Sequence, residues 1–440
     1  MTTLYNTDGR VVAIYDTTGR LVWGGAPPEP APDPTPPTGP DRNIATRMAQ
    51  MGGGQSIGAG RLVATTHLIT VDTLAPTLAW DFSTNGMGGY SSDLESTVRV
   101  WVSRGTGTPA PVHFGGMTEV VFPANEGMPA TISSDPIPLD LYAGEVLHVW
   151  VESTPIGSGQ VATSVTQYVP GTDRGWVQGG TITDPLTGVG TSPAMRPSRV
   201  IAPSDLPAWV LAGDSITQTT DTYSEMWASS AGLAAVKTGR FGDSYNGQRP
   251  GTDRFPGQIA PHLPYATHLL DCYGINDNGT GLAIPTAAHR WWGQILAAAP
   301  HTRIVKTTLL PVSTSTDGWQ TLAGQTATRT DRVHFNQWLR DGAPLSGGVP
   351  VAVGTAGADR CPVAQNGVII QAAEGTGHPL AGVTDIADAV ESSQDSGLWK
   401  TGWPTSAYQD GLHPLGGGPI MQTLANRLDQ DMLLLTPTGS

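Results

Sequence analysis

The chain has 440 residues, room for roughly two to four domains of about 100–200 residues and for a core that needs no covalent staples. With 56 Gly, 37 Pro and only 14% charged residues, the composition describes turns, short strands and loops rather than a helical bundle or coiled coil. A net charge of −14 without any Lys/Arg block argues against a nucleic-acid partner, because phosphate-backbone binding rests on clustered positive charge.

Residues 1–26 contain a short repeat, "TDGRVV" at 7–12 and "TTGRLV" at 17–22. Each is a glycine turn leading into a β-branched run, the pattern of a small β meander. So short a piece cannot bury a core alone and is expected to dock on a partner or to oligomerise. The N-terminus has no basic stretch followed by an apolar one, so no secretory signal is expected. Residues 27–41, including "PPEPAPDPTPPTGP", form a linker that favours an extended polyproline path.

From 42 to 200 the sequence reads as β. "HLITVDTLAPTLAWDFS", "STVRVWVSR" and "EVLHVWVEST" alternate or run β-branched between Gly, Pro, Asn and Ser clusters. Several short strands with turns between them predict a β-sandwich that serves as a binding or spacer module. His67, His113 and His148 are scattered in it without ligand spacing.

The pattern changes over 201–440. Apolar runs alternate with helical stretches: "AWVLAG" then "YSEMWASSAGLA", "HLLDCYGI" then "IPTAAHRWWGQILAAA", "RIVKTTLLPV" then "TDRVHFNQWLRDG", and finally "GPIMQTLANRLDQDM". This alternation predicts an α/β fold on a parallel sheet, with its site at the carboxyl ends of the strands. All the candidate chemistry lies here, so residues ~200–440 are expected to fold alone. No apolar stretch reaches the ~20 residues of a membrane span. Cys272 and Cys361 make no disulfide framework, and Cys272 reads as a buried free thiol.

An ester-cleaving site needs a nucleophile, a base, a group that orients the base, and oxyanion donors. Gly-Asp-Ser occurs twice, in "AGDSITQ" (212–218) and "FGDSYNG" (241–247). Ser215 of the first follows an apolar strand and precedes a helix, which exposes it on a tight turn; Ser244 follows "KTGRF", which does not read as a strand end. Asp-x-x-His also occurs twice. Asp331 and His334 lie in a helical stretch and read as a helix-start acid and a surface imidazole. Asp410 and His413 lie in a Gly/Pro-bounded loop where both side chains can converge. Asn276, at the end of "HLLDCYGIN", offers a side-chain amide. Trp399, Trp403 and Tyr408, just before His413, are candidate sugar-stacking platforms. No His-x-x-x-His pair or Cys cluster suggests a metal, and no cofactor is implied.

Four blocks, "GDSIT" (213–217), "GRFGDS" (239–244), "GIND" (274–277) and "DGLHP" (410–414), stand in the order of the SGNH hydrolase (GDSL-type esterase) family. Residues ~205–437 resemble that family. The resemblance implies Ser215 as nucleophile, His413 as base, Asp410 as its orienting acid, and the N–H groups of Ser215 and Gly242 with the Asn276 side chain as oxyanion donors. Ser244 is then a bystander. The second block departs from the family in having Lys237 and Thr238 where an asparagine commonly stands. The long stretch 341–409 suggests a lid or insertion.

The whole layout resembles a bacteriophage minor tail or receptor-binding protein that carries an esterase domain. Under this reading the enzyme removes short acyl groups, acetyl first, from a cell-envelope or capsular carbohydrate, works in a virion or outside the cell, and meets tail proteins through residues 1–26. Homo-oligomerisation stays open. The alternatives are a free bacterial polysaccharide esterase with a carbohydrate-binding module, a lipid or mycolate esterase, and a non-catalytic SGNH-like adhesin.

Overall fold

The computed structural model describes residues 2–5, 11–15, 21–24, 39–45, 55–56, 61–82, 95–105, 107–122, 130–156, 160–161, 174–177, 197–252 and 254–436. Two compact units divide the chain, Met1–Pro37 and Thr38–Ser440. In the first, strands Thr2–Tyr5, Val11–Tyr15 and Leu21–Gly24 form an antiparallel three-stranded sheet with Val11–Tyr15 in the middle. The two later strands are the β-branched runs that follow the repeated glycine turns. Residues 27–38 of the proline-rich stretch lie outside the described residues, and residue 41 already begins a strand, Asp41–Asn43.

The second unit starts with two antiparallel sheets. The larger centres on Arg61–Leu68, Val146–Pro155 and Ser96–Arg104, and the smaller runs Ala130–Ser133, Thr77–Phe82, Arg199–Pro203, Asp41–Asn43. Along Ser96–Arg104, Val98, Val100 and Val102 are buried while Arg99 is exposed, as the two-residue period of a strand requires. Trp80 of the smaller sheet sits 5.7 Å from Phe122 of the larger, so the sheets share one core.

A buried ion pair joins these sheets to the α/β part of the chain. Arg199 donates to both carboxylate oxygens of Asp81, at 2.6 and 2.8 Å, and Thr131 donates to Asp81 at 2.7 Å. The same guanidinium donates to the Pro261 carbonyl at 2.8 Å and to His262 Nδ1 at 3.0 Å. Arg199, Asp81 and His262 are each at most 2% exposed. Burial, aided by Arg199, pushes the His262 pKa down to about 3, so the ring is neutral and can accept. A buried pair holds only while both members are present and hydrogen-bonded. Ala235 N–H also donates to the Ala45 carbonyl at 3.1 Å. The expected boundary at 200/201 therefore falls inside the strand Arg199–Pro203, which pairs with Asp41–Asn43 and Thr77–Phe82. A piece beginning near 200 would lack Asp81, so independent folding of ~200–440 is no longer the expectation.

The α/β part carries a seven-stranded sheet in the order Ala234–Lys237, Ala208–Ala212, His268–Asp271, Arg303–Thr307, Leu380–Thr384, Val363–Gln365, Val368–Gln371. Every neighbouring pair is parallel except the last, a hairpin. Helices Tyr223–Ser230, Ala283–Ala298, Thr330–Arg340 and Pro419–Leu435 connect and cover it. Ile284, Ala287, Ala288, Trp291, Trp292 and Ile295 are buried at helical spacing in the second of these, the face that packs against the core. Residues 341–409 are no lid: they supply three of the seven strands. No helix among the described residues is long and apolar enough to cross a membrane.

Asp81→Ala should lower the unfolding free energy of the full chain by about 3–5 kcal/mol. Loss of the partly exposed Glu152, 3.6 Å from Arg99, should cost under about 1 kcal/mol. Urea titrations of the two variants check this; equal midpoints would remove the junction role of Asp81.

Candidate active site

The strand Ala208–Ala212 is buried throughout and is followed by Gly213. Asp214 then caps a four-residue helical turn, Ser215–Gln218, by accepting from Ile216 N–H at 2.9 Å, as Asp does at helix starts. Ser215, first in the turn, has an N–H without an intrahelical acceptor, and its side chain is 5% exposed.

His413 and Asp410 reach the serine from a loop between the short helix Thr405–Tyr408 and the terminal helix. Ser215 Oγ lies 2.8 Å from His413 Nε2, and His413 Nδ1 lies 2.8 Å from Asp410 Oδ2. The other Asp410 oxygen accepts from the N–H groups of Leu412 (2.9 Å) and His413 (2.7 Å). Partial burial alone would raise the Asp410 pKa. The hydrogen bonds from the His413 ring and the two N–H groups outweigh burial and hold the carboxyl below its ordinary value. It stays ionised, which fixes the imidazole with its proton on Nδ1 and Nε2 free to accept from serine.

Aromatic packing holds this loop in place. Gly411 takes φ +79°, and a Cβ there would lie 2.0 Å from the Ser313 carbonyl oxygen, so both the conformation and the space demand glycine. Its carbonyl accepts from the Trp399 indole at 3.0 Å and from Ser313 N–H at 3.2 Å. Tyr408 stacks on Trp319 at 5.4 Å and meets Trp399 and Trp403 edge-on. Here the expected sugar platform is corrected. Trp399 and Tyr408 are fully buried, because their rings fill the space under the loop and their polar atoms bond to the Gly411 and Lys400 carbonyls. Trp403 alone of the three keeps exposed surface.

The second Gly-Asp-Ser lies on the loop 239–248. Gly242 takes φ +67° and is exposed. Among the described residues, no acceptor bonds its N–H or that of Ser215. Asn276 follows the strand His268–Asp271, and its Nδ2 donates to the Asp243 carbonyl at 2.9 Å, which leaves one amide hydrogen for a ligand. In this second copy Asp243 is the structural residue: its carboxylate accepts from Tyr273 O–H (2.8 Å), Arg254 (2.8 Å), Gln248 and Ser244 N–H. Ser244 Oγ accepts from Gly247 N–H within the loop. Asp331 stays in the first turn of Thr330–Arg340, paired with Arg329 at 3.3 Å. Asp271 and Tyr245, 2.7 Å apart, and Trp399 also support the site. Asp271 and Tyr245 carry no local sequence signal, since their partners come from distant parts of the chain.

Asp214 is buried, with Oδ2 unpartnered. Burial pushes its pKa up to about 7; Ile216 N–H and Lys306 oppose this, while Asp243 and Asp277 add to it. Beside it, Ile216, Tyr223, Cys272, Ile275 and Leu309 line a cavity of about 10 Å³. Among the described residues no group of His, Cys, Asp and Glu could hold a metal ion. What the arrangement can do is transfer the Ser215 proton to His413 while Ser215 attacks an acyl carbon.

No protein-family model and no curated protein matches the chain. Solved structures do. A carbohydrate esterase family 3 protein from Talaromyces cellulolyticus is 14% identical with a TM-score of 0.32, over 53% of this chain and 100% of its own. A family two carbohydrate esterase from Clostridium thermocellum, in an active-site mutant form, is 14% identical with a TM-score of 0.30, over 88% and 93%. A protein described as a putative platelet activating factor from Streptococcus pneumonia is 15% identical with a TM-score of 0.30, over 50% and 82%.

Trp399→Phe keeps the ring packing but removes the bond to Gly411. It should lower kcat for p-nitrophenyl acetate about 3–10-fold with KM unchanged, the scale of one net hydrogen bond; an unchanged kcat would limit Trp399 to packing. Asp214 should make stability depend on pH. Its folded pKa of about 7 exceeds its ordinary 3.8, so the native state holds the proton more tightly than the unfolded chain. The stability that Asp214 contributes in this way is full below about pH 4 and is lost as pH rises to about 7. Asp214→Asn should lose that fall, read as a gap in urea midpoint that widens in favour of the variant between the two pH values.

Proposed function

We propose that this protein is a serine esterase that removes short acyl groups, acetyl first, from a carbohydrate at a cell surface. The carrying observation is the continuous hydrogen-bond chain Ser215–His413–Asp410. Ser215 Oγ attacks the acyl carbonyl and its proton passes to His413 Nε2. The oxyanion is taken by the N–H groups of Ser215 and Gly242 and by the Asn276 amide. Collapse expels the sugar oxygen, which leaves as an alcohol with the proton from His413. Water, deprotonated by His413, then attacks the acyl-serine and releases the carboxylic acid. Asp410 holds the imidazole throughout. Exposed Phe241 and partly exposed Trp403 offer apolar faces to a sugar. The proposal includes delivery by a phage tail, with residues 1–26, which fall in the separate unit Met1–Pro37, as the docking piece.

A fluorophosphonate probe should label Ser215. Ser215→Ala and His413→Ala should each cost about 10⁴–10⁶ in kcat for p-nitrophenyl acetate, and Asn276→Ala about 10²–10³. Acetate should be cleaved faster than C8–C16 esters. No labelling would point to a non-catalytic adhesin, a preference for long chains to a lipid esterase, and a dead Ser244→Ala with an active Ser215→Ala would sink the assignment.

A further inference from the structure

Arg240 stands two residues before Gly242, so their Cα atoms are within about 7.6 Å. Its N–H donates to the Gly213 carbonyl at 3.1 Å, and the next N–H, of Phe241, donates to the Gln218 side chain. The loop is thereby seated on the turn that carries Ser215. Yet the Arg240 guanidinium has no task in the fold. It is half-buried, and among the described residues it makes no hydrogen bond and no ion pair within 4.0 Å. Its electrostatic neighbours are Arg254, Asp243 and Tyr273. Asp243 is already taken by Arg254, Tyr273 and Gln248. The Asp243 carbonyl accepts from Asn276, so the residue that neighbours the cation also touches the amide.

Three further arginines stand around the loop 239–248. Arg249 and Arg290 are exposed, the latter bonded to the Asn246 side chain at 3.3 Å. Arg329 donates to the Asp277 carbonyl at 3.0 Å. The loop's own carboxylate contacts, Asp243 and Asp277, are 0% and 2% exposed. Arg329 is paired with Asp331, while Arg249 and Arg290 make no ion pair among the described residues, in a chain of net charge −14. A partly desolvated guanidinium without an acceptor is costly, and its planar fork matches a carboxylate in bidentate fashion.

We infer that Arg240 forms a carboxylate subsite next to Gly242, so that the carbohydrate ester is acidic, with a uronate at the acylated sugar or its neighbour. This rests on the esterase reading and narrows its substrate class. The bordering arginines concentrate such a chain at the site, and Arg240 takes its carboxylate.

Binding is measured by calorimetry on the full chain carrying Ser215→Ala, with an O-acetylated galacturonate trimer and an O-acetylated xylose trimer. At about 10 mM salt the acidic ligand should bind about tenfold or more tightly, an advantage that shrinks at about 150 mM. Adding Arg240→Gln should abolish the advantage, and Arg240→Lys should keep part of it. Equal binding of the two trimers, or an advantage that survives Arg240→Gln, overturns the inference. Fluorophosphonate labelling of the unmutated chain reads the esterase assignment separately. Labelling without acidic preference sinks the subsite alone, and acidic preference without labelling supports the subsite and sinks the esterase.

Discussion

Three buried carboxylates hold the loop 239–248 against the strand ends, and the geometry around Ser215 depends on them. Asp271 ends its strand and accepts from Tyr245 O–H at 2.7 Å and the Trp292 indole at 2.8 Å. Asp277 accepts from the N–H groups of Tyr245 (2.9 Å) and Asn246 (3.2 Å). Asp243 reaches back to Tyr273. Each would be costly without its donors, so the loop has one seating that satisfies all three. Lys306, itself buried, donates to the carbonyls of Asp271 and Tyr273 and lies 3.7 Å from Asp271 Oδ1. Burial, with Asp243 and Asp271 nearby, pushes Asp277 up to about 6 despite its backbone donors. Gly242 is thus positioned by residues that take no part in the proposed chemistry.

The His413 side of the site is held differently, by rings and one further ion pair. Gln325 brackets the Trp399 backbone, accepting from its N–H and donating to its carbonyl, both at 3.0 Å. Glu391 accepts from Gly397 N–H and pairs with buried Arg332 at 3.0 Å. Trp399 is therefore fixed before it meets Gly411, and the Asp410–His413 loop inherits that rigidity. Donors preorganised in this way need not rearrange as charge develops.

The two antiparallel sheets within residues 41–203 belong to the same framework. Arg199 pairs with Asp81 and also donates to Pro261 and His262, which lie in the segment Ala260–Tyr265 that leads into the strand His268–Asp271. A change in composition near residue 200 marks a change of architecture, but not a place where the polypeptide can be cut without stranding a buried charge.

The local devices were legible in the order of the amino acids. "AWVLAGDSITQ" contains the strand, glycine and capping acid that make a tight turn, and "QDGLHP" contains an acid and an imidazole close enough to bond within one loop. Helical periodicity marked Ala283–Ala298, Thr330–Arg340 and Pro419–Leu435, and β–α alternation marked the parallel sheet. Each depends on residues a few positions apart. The rest was settled by tertiary contacts. The strand Ala234–Lys237 has little intrinsic β preference and exists through pairing with Ala208–Ala212. The strands within 363–384 are short and made by the sheet they join. Whether Trp399 and Tyr408 faced solvent or core depended on Ser313 and Trp319, some ninety residues upstream. Asp81 and Arg199 are 118 residues apart. Burial and ion pairing depend on what the remainder of the chain brings close, and no local pattern records that.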